Sequence, residues 1–583
     1  MYIIPVSSYE LRVARRRALP SAGVRQAFIK SAIETGIKIA SAVLRISLGL
    51  SLILAHAISL LAAGQVGAPA PDTEIKNIIV MIADGTSLSG LTLARWYKAY
   101  DVKTGTIDTK ATLAIDELAS GLVRTYWSDG KTVGAITDSA PAATSFACGI
   151  KTIAGYVGMG PDKVPAASIL EAARLIGKST GLVATSNIQH ATPAGFSAHY
   201  SDRNKYDIIG EQQAYNGIDV VLGGGSVYLE EPYRKDSENI IDAIKVMGYR
   251  YVTTKNEMEA TKEGRLWGMF APDAMAYDID REELSPSEPS LAEMTAKAIQ
   301  LLSKSNDGFF LMVEGSKPDW MAHVNEPVGL VTDILAFDAA VGIALDFAKT
   351  SQNTMLLITS DHGTGGISIG NVATNGNYSR EPLTKFIAPL KKASLSGAGI
   401  AQKLNEGRTN VIEVMKAFFG IEDLTEAEER SIANASVGRV QNVAGSIISR
   451  RANIGWTTTG HTGEDVLLST YLPGDRRITG VLDNVDITKI CADAWGVDLK
   501  ALTQGLFCNA ETAFRAIGAH IEIDTSVQSG GKMTATKGDR VLVIHENKNF
   551  VLLNEKKIML DSIVVQQGGV FYVNAKVLSL LSE

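Results

Sequence analysis

Cysteine is nearly absent from this chain, with three in 583 residues. No disulfide framework can be built from so few. Cys491 and Cys508 could pair in an oxidising compartment, although spacing alone establishes no bridge, and Cys148 sits alone in an expected helix. Basic clusters interleaved with aromatic residues are missing from the body, which argues against nucleic acid as the main partner. Internal repeats and low-complexity tracts are also missing. The Gly223-Gly224-Gly225 run lacks the following lysine of a phosphate-cradling loop and reads as a turn. Histidine is scarce, with eight in all.

What is present divides the chain unevenly. Residues 1–70 hold eight Lys/Arg against two Asp/Glu, which leaves 48 basic and 61 acidic residues in the rest and a charge near −13 there. A basic leader is followed by the uncharged apolar run 46–63, the pattern of a long secretory signal. Small residues near Ala63 and Ala70 offer cleavage positions, and an uncleaved membrane anchor is the alternative for a run of this length. Either way the body is expected to be exported: periplasmic, extracellular or attached to the cell envelope.

Apolar β-rich runs at Ile78–Ala83, Gly181–Thr185, Val220–Leu222, Phe309–Val313 and Met355–Thr359 alternate with helical patterns such as Ala167–Ile176 and Val331–Lys349. That alternation predicts an α/β fold, a doubly wound, mostly parallel sheet with helices on both faces. Ligands of such sheets gather beyond the carboxyl ends of the strands. Asp84, Glu314 and the pair Asp361-His362 are each expected there. Residues 367–453 loosen into Gly, Ser and Asn stretches and read as a loop-rich insertion over the site, able to shape substrate access. The catalytic body is taken as 71–524, and 525–583, with short alternating strands, as a small appended β-rich domain.

The chemistry lies in four segments: NIIVMIADG, VEGSKPDWMAHVNEP, ITSDHGTGG and GHTGEDV. A catalytic zinc takes about three His or carboxylate ligands and keeps one position open. Asp319 and His323, four apart on a helical turn, face the same way, and His461 could complete that set. Asp361, His362 and Asp84 suit a second zinc. Two such ions about 4 Å apart would clamp the attacking and leaving oxygens of an in-line displacement. Glu314, Thr192 and a shared Asp84 suit magnesium, which prefers oxygen. A lone Asp-His pair in a loop is more often a cap or a solvated turn. Against that, four of the eight histidines, His190, His323, His362 and His461, fall in or beside these segments.

Ser139, after Asp138 and before a helix-favouring run, is the candidate nucleophile, its charge favoured by a helix N-terminus and its hydroxyl acidified by an adjacent zinc. Local sequence alone favours a plain N-cap serine, and Thr137 and Ser145 are rival hydroxyls. Arg203 is the candidate phosphate clamp, because guanidinium matches phosphate bidentately. Taken alone it would read as a surface arginine.

These residues lie in ordered motifs: IADG around Asp84, TDSAPAATSFACG around Ser139, QHATPAGF around Thr192, AHYSDRN around Arg203, VEGSKPDWMAH around Glu314, SDHGTGG around Asp361 and TTTGHTGEDV around His461. Across roughly Asn77 to Asp524 the chain resembles the alkaline phosphatases. The resemblance implies a phosphoserine on Ser139, Arg203 on the phosphate, one zinc on Asp319, His323 and His461, another on Asp84, Asp361 and His362, and magnesium on Asp84, Thr192 and Glu314. It also implies a homodimer. His190 stands where some members carry aspartate, so the third metal is expected to be magnesium, with zinc or cobalt as alternatives; Trp320 stands where others carry lysine or histidine. The expected activity is hydrolysis of phosphate monoesters, releasing inorganic phosphate. A phosphodiesterase or sulfatase of the same metal-dependent superfamily is the nearest rival, and an idle surface protein with a binding C-terminal module the more distant one.

Overall fold

The computed structural model describes residues 74–474, 476–526 and 530–582; the leader and its apolar run lie outside them. NIIVMIA forms β1 (Asn77–Ala83), buried at every residue, in the middle of a ten-stranded sheet. In chain order the other strands are β2 (Ala119–Arg124), β3 (Ser179–Asn187), β4 (Val220–Gly224), β5 (Arg250–Val252), β6 (Leu266–Met269), β7 (Phe309–Gly315), β8 (Thr354–Thr359), β9 (Val466–Tyr471) and β10 (Val481–Asp483). They lie in the order β10-β2-β9-β8-β1-β7-β3-β4-β6-β5. β9 is antiparallel to β8 and β2, and every other adjacent pair in this sheet is parallel.

Side chains along a strand alternate between faces, and here both faces are covered. Ile79, Met81 and Ala83 join one hydrophobic core with Leu311, Val313 and Ile358, while Ile78, Val80 and Ile82 join another with Phe310, Met312 and Leu357. The first core is closed by the helices Leu291–Leu302 and Pro327–Ser351, the second by Ser139–Cys148, Ile169–Leu175 and Asn484–Trp495. Pro327–Ser351 is long and apolar enough to cross a membrane by composition, but two thirds of its most apolar window is buried in the protein. It is a core helix. Pro327 at its start and the Glu326 carboxylate, which accepts from Val328 N and Gly329 N at 2.7 and 2.8 Å, set its first turn.

Register aligns the ends that matter. Ile82 pairs with Glu314 on one side and Thr359 on the other, so β1, β7 and β8 finish level. Asp84 follows β1 directly, Asp361 follows β8 after Ser360, and Glu314 is the penultimate residue of β7.

The insertion 367–453 carries more helix than its composition suggests: Gly397–Lys403, Val411–Phe419, Glu426–Ala433 and Val440–Arg451. Val411, Met415, Phe419, Ile432 and Ile447 bury themselves in the same core as Pro327–Ser351. Near the C-terminus His520–Asp524, Lys532–Lys537, Arg540–His545, Phe550–Leu553 and Lys556–Met559 form an antiparallel meander. Met533, Ala535, Leu542, Ile544 and Val551 fill its own small core, which extends upstream of 525 to Ala510 and Phe514. All three cysteines are free; Cys491 is buried and Cys508 pairs along the backbone with Val573.

Candidate metal centre and nucleophile

Seven of the ligand candidates reach one place from five elements, and Thr192 meets Glu314 there from a sixth, the helix Ala191–Ser197. Asp84 follows β1, Glu314 is the last residue but one of β7, and Asp361-His362 follow β8. Asp319 and His323 occupy the helix Lys317–His323, and His461 lies on a short strand paired with Gly363-Thr364. The chain leaves β1 through Gly85 at φ +64°, and a Cβ there would stand 2.5 Å from Asp319 Oδ1. Only glycine allows that approach. Gly195 does the same for two helices: its Cβ would meet that of Ala143 at 2.8 Å, so the helix bearing Thr192 lies directly on the helix bearing Ser139.

One group comprises Asp319, His323 and His461, whose ligand atoms lie within 4.8 Å of one another. His323 Nδ1 donates to Thr459 O at 2.6 Å and His461 Nδ1 to Thr137 O at 2.8 Å. Those bonds turn both Nε2 lone pairs inward, where they face each other at 3.1 Å. Two ring nitrogens so close need a proton or a metal cation between them. Asp319 Oδ2 lies 3.3 Å from His323 Nε2. Burial opposes the charge on Asp319, yet the His323 hydrogen bond and the surrounding imidazoles hold it below the usual carboxylate range. Burial likewise opposes His323, and Asp319 prevails, lifting it to about 9.

A second group is Asp84, Asp361 and His362, and a third is Asp84, His190 and Glu314. Asp84, Asp361, His362, Glu314 and Thr192 are all fully buried. Both Asp84 oxygens, Asp361 Oδ2, Glu314 Oε1 and Thr192 Oγ1 have no hydrogen-bond partner. Orphaned buried acceptors on this scale are costly unless cations meet them. Burial, reinforced by Asp361, Asp319 and Glu314, pushes Asp84 well above the usual carboxylate range, and burial lifts Glu314 to about 7. The donor set suits divalent cations: imidazole and carboxylate in the first two groups, oxygen with one imidazole in the third.

Ser139 is the first residue of its helix and Asp138 the N-cap, so the plain capping role that local sequence favours is not what it performs. Its Oγ lies 3.2 Å from His362 Nε2. Asp361 Oδ2 approaches that same nitrogen at 3.2 Å, whereas His362 Nδ1 faces Thr364 Oγ1 at 3.2 Å. In a Ser-His-Asp triad the carboxylate would hold the other nitrogen. Convergence on Nε2 is the arrangement expected around a cation. Ser145 Oγ is engaged by Pro141 O and Ile150 O at 2.9 and 3.0 Å, and Thr137 Oγ1 by Asp138 O, so neither rival hydroxyl is free.

Arg203 extends toward the same place. Its Nη1 bonds Asp138 Oδ1 and its Nη2 donates to His190 Nε2 at 2.9 Å. Asp138 is steadied by Gly155 N at 2.7 Å. Burial and the Arg203 charge lower His190 to about 3, leaving a neutral imidazole. Trp320 stands edge-on to His190 at 5.7 Å, and Lys317 Nζ lies 3.9 Å over the indole. Two contributors escaped the sequence reading. Thr364 donates to Asp319 Oδ1 at 2.6 Å, and its position two residues after His362 was the available signal. Lys317 stands inside VEGSKPDWMAH, but nothing local marks a buried lysine.

A family model described as Alkaline phosphatase matches residues 75–497. Alkaline phosphatase 3 of Bacillus subtilis (strain 168) is 38% identical over 428 residues, covering 71% of this chain and 88% of that protein. The crystal structure of Thermus thermophilus alkaline phosphatase superposes with a TM-score of 0.66 at 28% identity, covering 74% of this chain and 93% of the other. A histidine-to-aspartate variant of TAB5 alkaline phosphatase with magnesium bound in its M3 site has a TM-score of 0.52 at 27% identity, covering 73% and 99%. Seven ordered motifs, a shared sheet and the family match over most of its length agree: this chain belongs to the alkaline phosphatase family.

Proposed function

We propose that this protein hydrolyses phosphate monoesters through a phosphoserine formed on Ser139, with two zinc ions and one magnesium ion per subunit. One observation carries the reading: inward-facing imidazole nitrogens and unpartnered carboxylates converge beside a helix-start serine with an arginine opposite. Asp319, His323 and His461 would hold one zinc, Asp84, Asp361 and His362 the other, and Asp84, Thr192 and Glu314 the magnesium, with His190 making zinc or cobalt acceptable there. Bound together, the cations would lower the serine pKa and neutralise charge on the attacking and leaving oxygens.

The chain's own groups do the rest. Ser139 Oγ gives up its proton to water and attacks phosphorus as the bond to the leaving oxygen breaks, and that oxygen departs with a proton from water, so the two proton transfers cancel. The helix it opens directs its positive end at the anion. Arg203, fixed by Asp138, has donors for two non-bridging oxygens and neutralises their charge in both half-reactions. Water then cleaves the phosphorus–Oγ bond, releasing inorganic phosphate and restoring the serine. The basic leader and apolar run support export, with cleavage and anchoring as the two forms of it, and the family supports a homodimer.

Hydrolysis of p-nitrophenyl phosphate by residues 71–583 with zinc and magnesium, against Ser139→Ala, tests this. Turnover should rise from neutral to alkaline pH and fall by about a thousandfold or more in the variant. Faster cleavage of bis(p-nitrophenyl) phosphate than of the monoester would move the assignment to the diesterase; an inactive but folded, metal-loaded protein would sink it.

A further inference from the structure

The family match ends at 497, and the β-rich region beyond it grips the segment that carries Arg203. Gln567 Oε1 accepts from Ser201 N at 3.1 Å. Asn547 Oδ1 accepts from Gln212 Nε2 at 3.0 Å, while Gln212 Oε1 accepts from His199 N at 2.7 Å and its Nε2 also donates to His199 O. Two side chains from the C-terminal region thus hold the backbone at 199–201, directly or through one glutamine. On its other side that segment is tied by Tyr200 N to Val157 O and by Arg203 N to Gly155 O.

An ionic clasp and an apolar seam fix the region that supplies these groups. Lys548 binds Glu211 and Glu238 at 2.6 and 2.7 Å, and Arg234 binds Glu211 and Asp236 at 2.9 and 2.5 Å. The carboxylates of Glu211, Asp236 and Glu238 lie within 4.8 Å of one another, but each is already paired with one or both of these two cations, so the cluster is a fastening and not a metal site. Beside it Ile563 and Val565 pack with Ala167, Leu506 and Phe507, and Phe507 stands edge-on to His199 at 4.6 Å.

We propose that Gln567 and Asn547 are positioning residues for Arg203, so that the C-terminal region sets the affinity of the site for the phosphoryl group. The proposal rests on the reading of Arg203 as the phosphate ligand. An arginine that must meet two oxygens bidentately tolerates little displacement of its backbone. The C-terminal side chains restrain it without touching substrate.

The test uses residues 71–583 with zinc and magnesium. Gln567→Leu removes the acceptor, Gln567→Glu retains one, and Asn547→Gly removes the second support while suiting a backbone at φ +62°. For Gln567→Leu and Asn547→Gly, KM for p-nitrophenyl phosphate and the inhibition constant of inorganic phosphate should rise together about fivefold, the worth of one hydrogen bond, with kcat changed less than about twofold. Gln567→Glu should recover both, and Lys557→Ala, on an exposed strand, should alter neither. Hydrogen exchange at the Ser201 amide should quicken about fivefold in Gln567→Leu. Faster exchange with unchanged KM and phosphate inhibition would overturn the proposal, and so would unchanged exchange. An inactive parent protein is a separate outcome: it removes the monoesterase assignment, and inorganic phosphate binding by calorimetry then replaces KM as the readout.

Discussion

Asp84 contributes to two groups of ligands at once, and its position after a fully buried strand leaves both of its oxygens without a donor. At this scale the sequence was most legible, because metal chemistry accepts few residue types and they stand out in a chain with eight histidines. Ser139 was less so: a serine before Ala-Pro-Ala reads as a cap, and only its 3.2 Å approach to His362 sets it apart. His190 carries the residue-scale prediction. It adds a nitrogen to an otherwise oxygen-rich site, so His190→Asp should shift activation toward magnesium and lower the zinc or cobalt content there, as read by metal analysis and by reconstitution with each ion. An unchanged metal-activation profile would refute this.

At the scale of elements, strand ends were predictable and the support behind them was not. The apolar runs located β1, β7 and β8 within a residue or two, because a strand buried on both faces has little room for polar residues. The pair His199 and Glu171, which braces the segment ahead of Arg203, had no such signal. Glu171 Oε1 lies 3.0 Å from His199 Nε2, and His199 Nδ1 donates to Gly158 O at 2.8 Å, so both ring nitrogens face acceptors and the imidazolium is favoured. Burial opposes both charges, yet each partner's charge prevails: His199 titrates above its ordinary 6.5 and Glu171 below its ordinary 4.5. The histidine's stabilising contribution is full below 6.5 and lost as pH rises through its raised value. The glutamate's is full above 4.5 and lost as pH falls through its lowered value. Glu171→Gln should therefore cost about 3 kcal/mol near pH 5.5 and distinctly less at pH 9.5. Urea unfolding of chelator-treated protein measures it, and a gap that widens with pH would contradict the pairing.

For the whole molecule, the proposed metal sites would link folding to ion binding. Ions that bind the folded chain and not the unfolded one should stabilise it by about 4 kcal/mol at a thousand times their Kd. Chelation should lower the melting temperature by several degrees, and zinc with magnesium should restore it; a melting curve indifferent to chelator would mean that the pocket does not hold ions. The insertion and the C-terminal region were less legible than the central sheet. Val411–Phe419 shows an apolar stripe that any surface helix would show, and only packing reveals that the insertion joins the central core.

The sequence by itself determined the fold class, the central strands, the family resemblance and the identity of every proposed ligand, because burial on two faces and the choice of metal donors both restrict residue type at short range. Tertiary structure decided which nitrogen of each histidine turns inward, that Asp138 and not Ser139 is the helix cap, that the three thiols are free, and that Gln567 holds the backbone before Arg203. These depend on partners as far as 366 residues away in the chain, and a contact made across that distance leaves no local pattern.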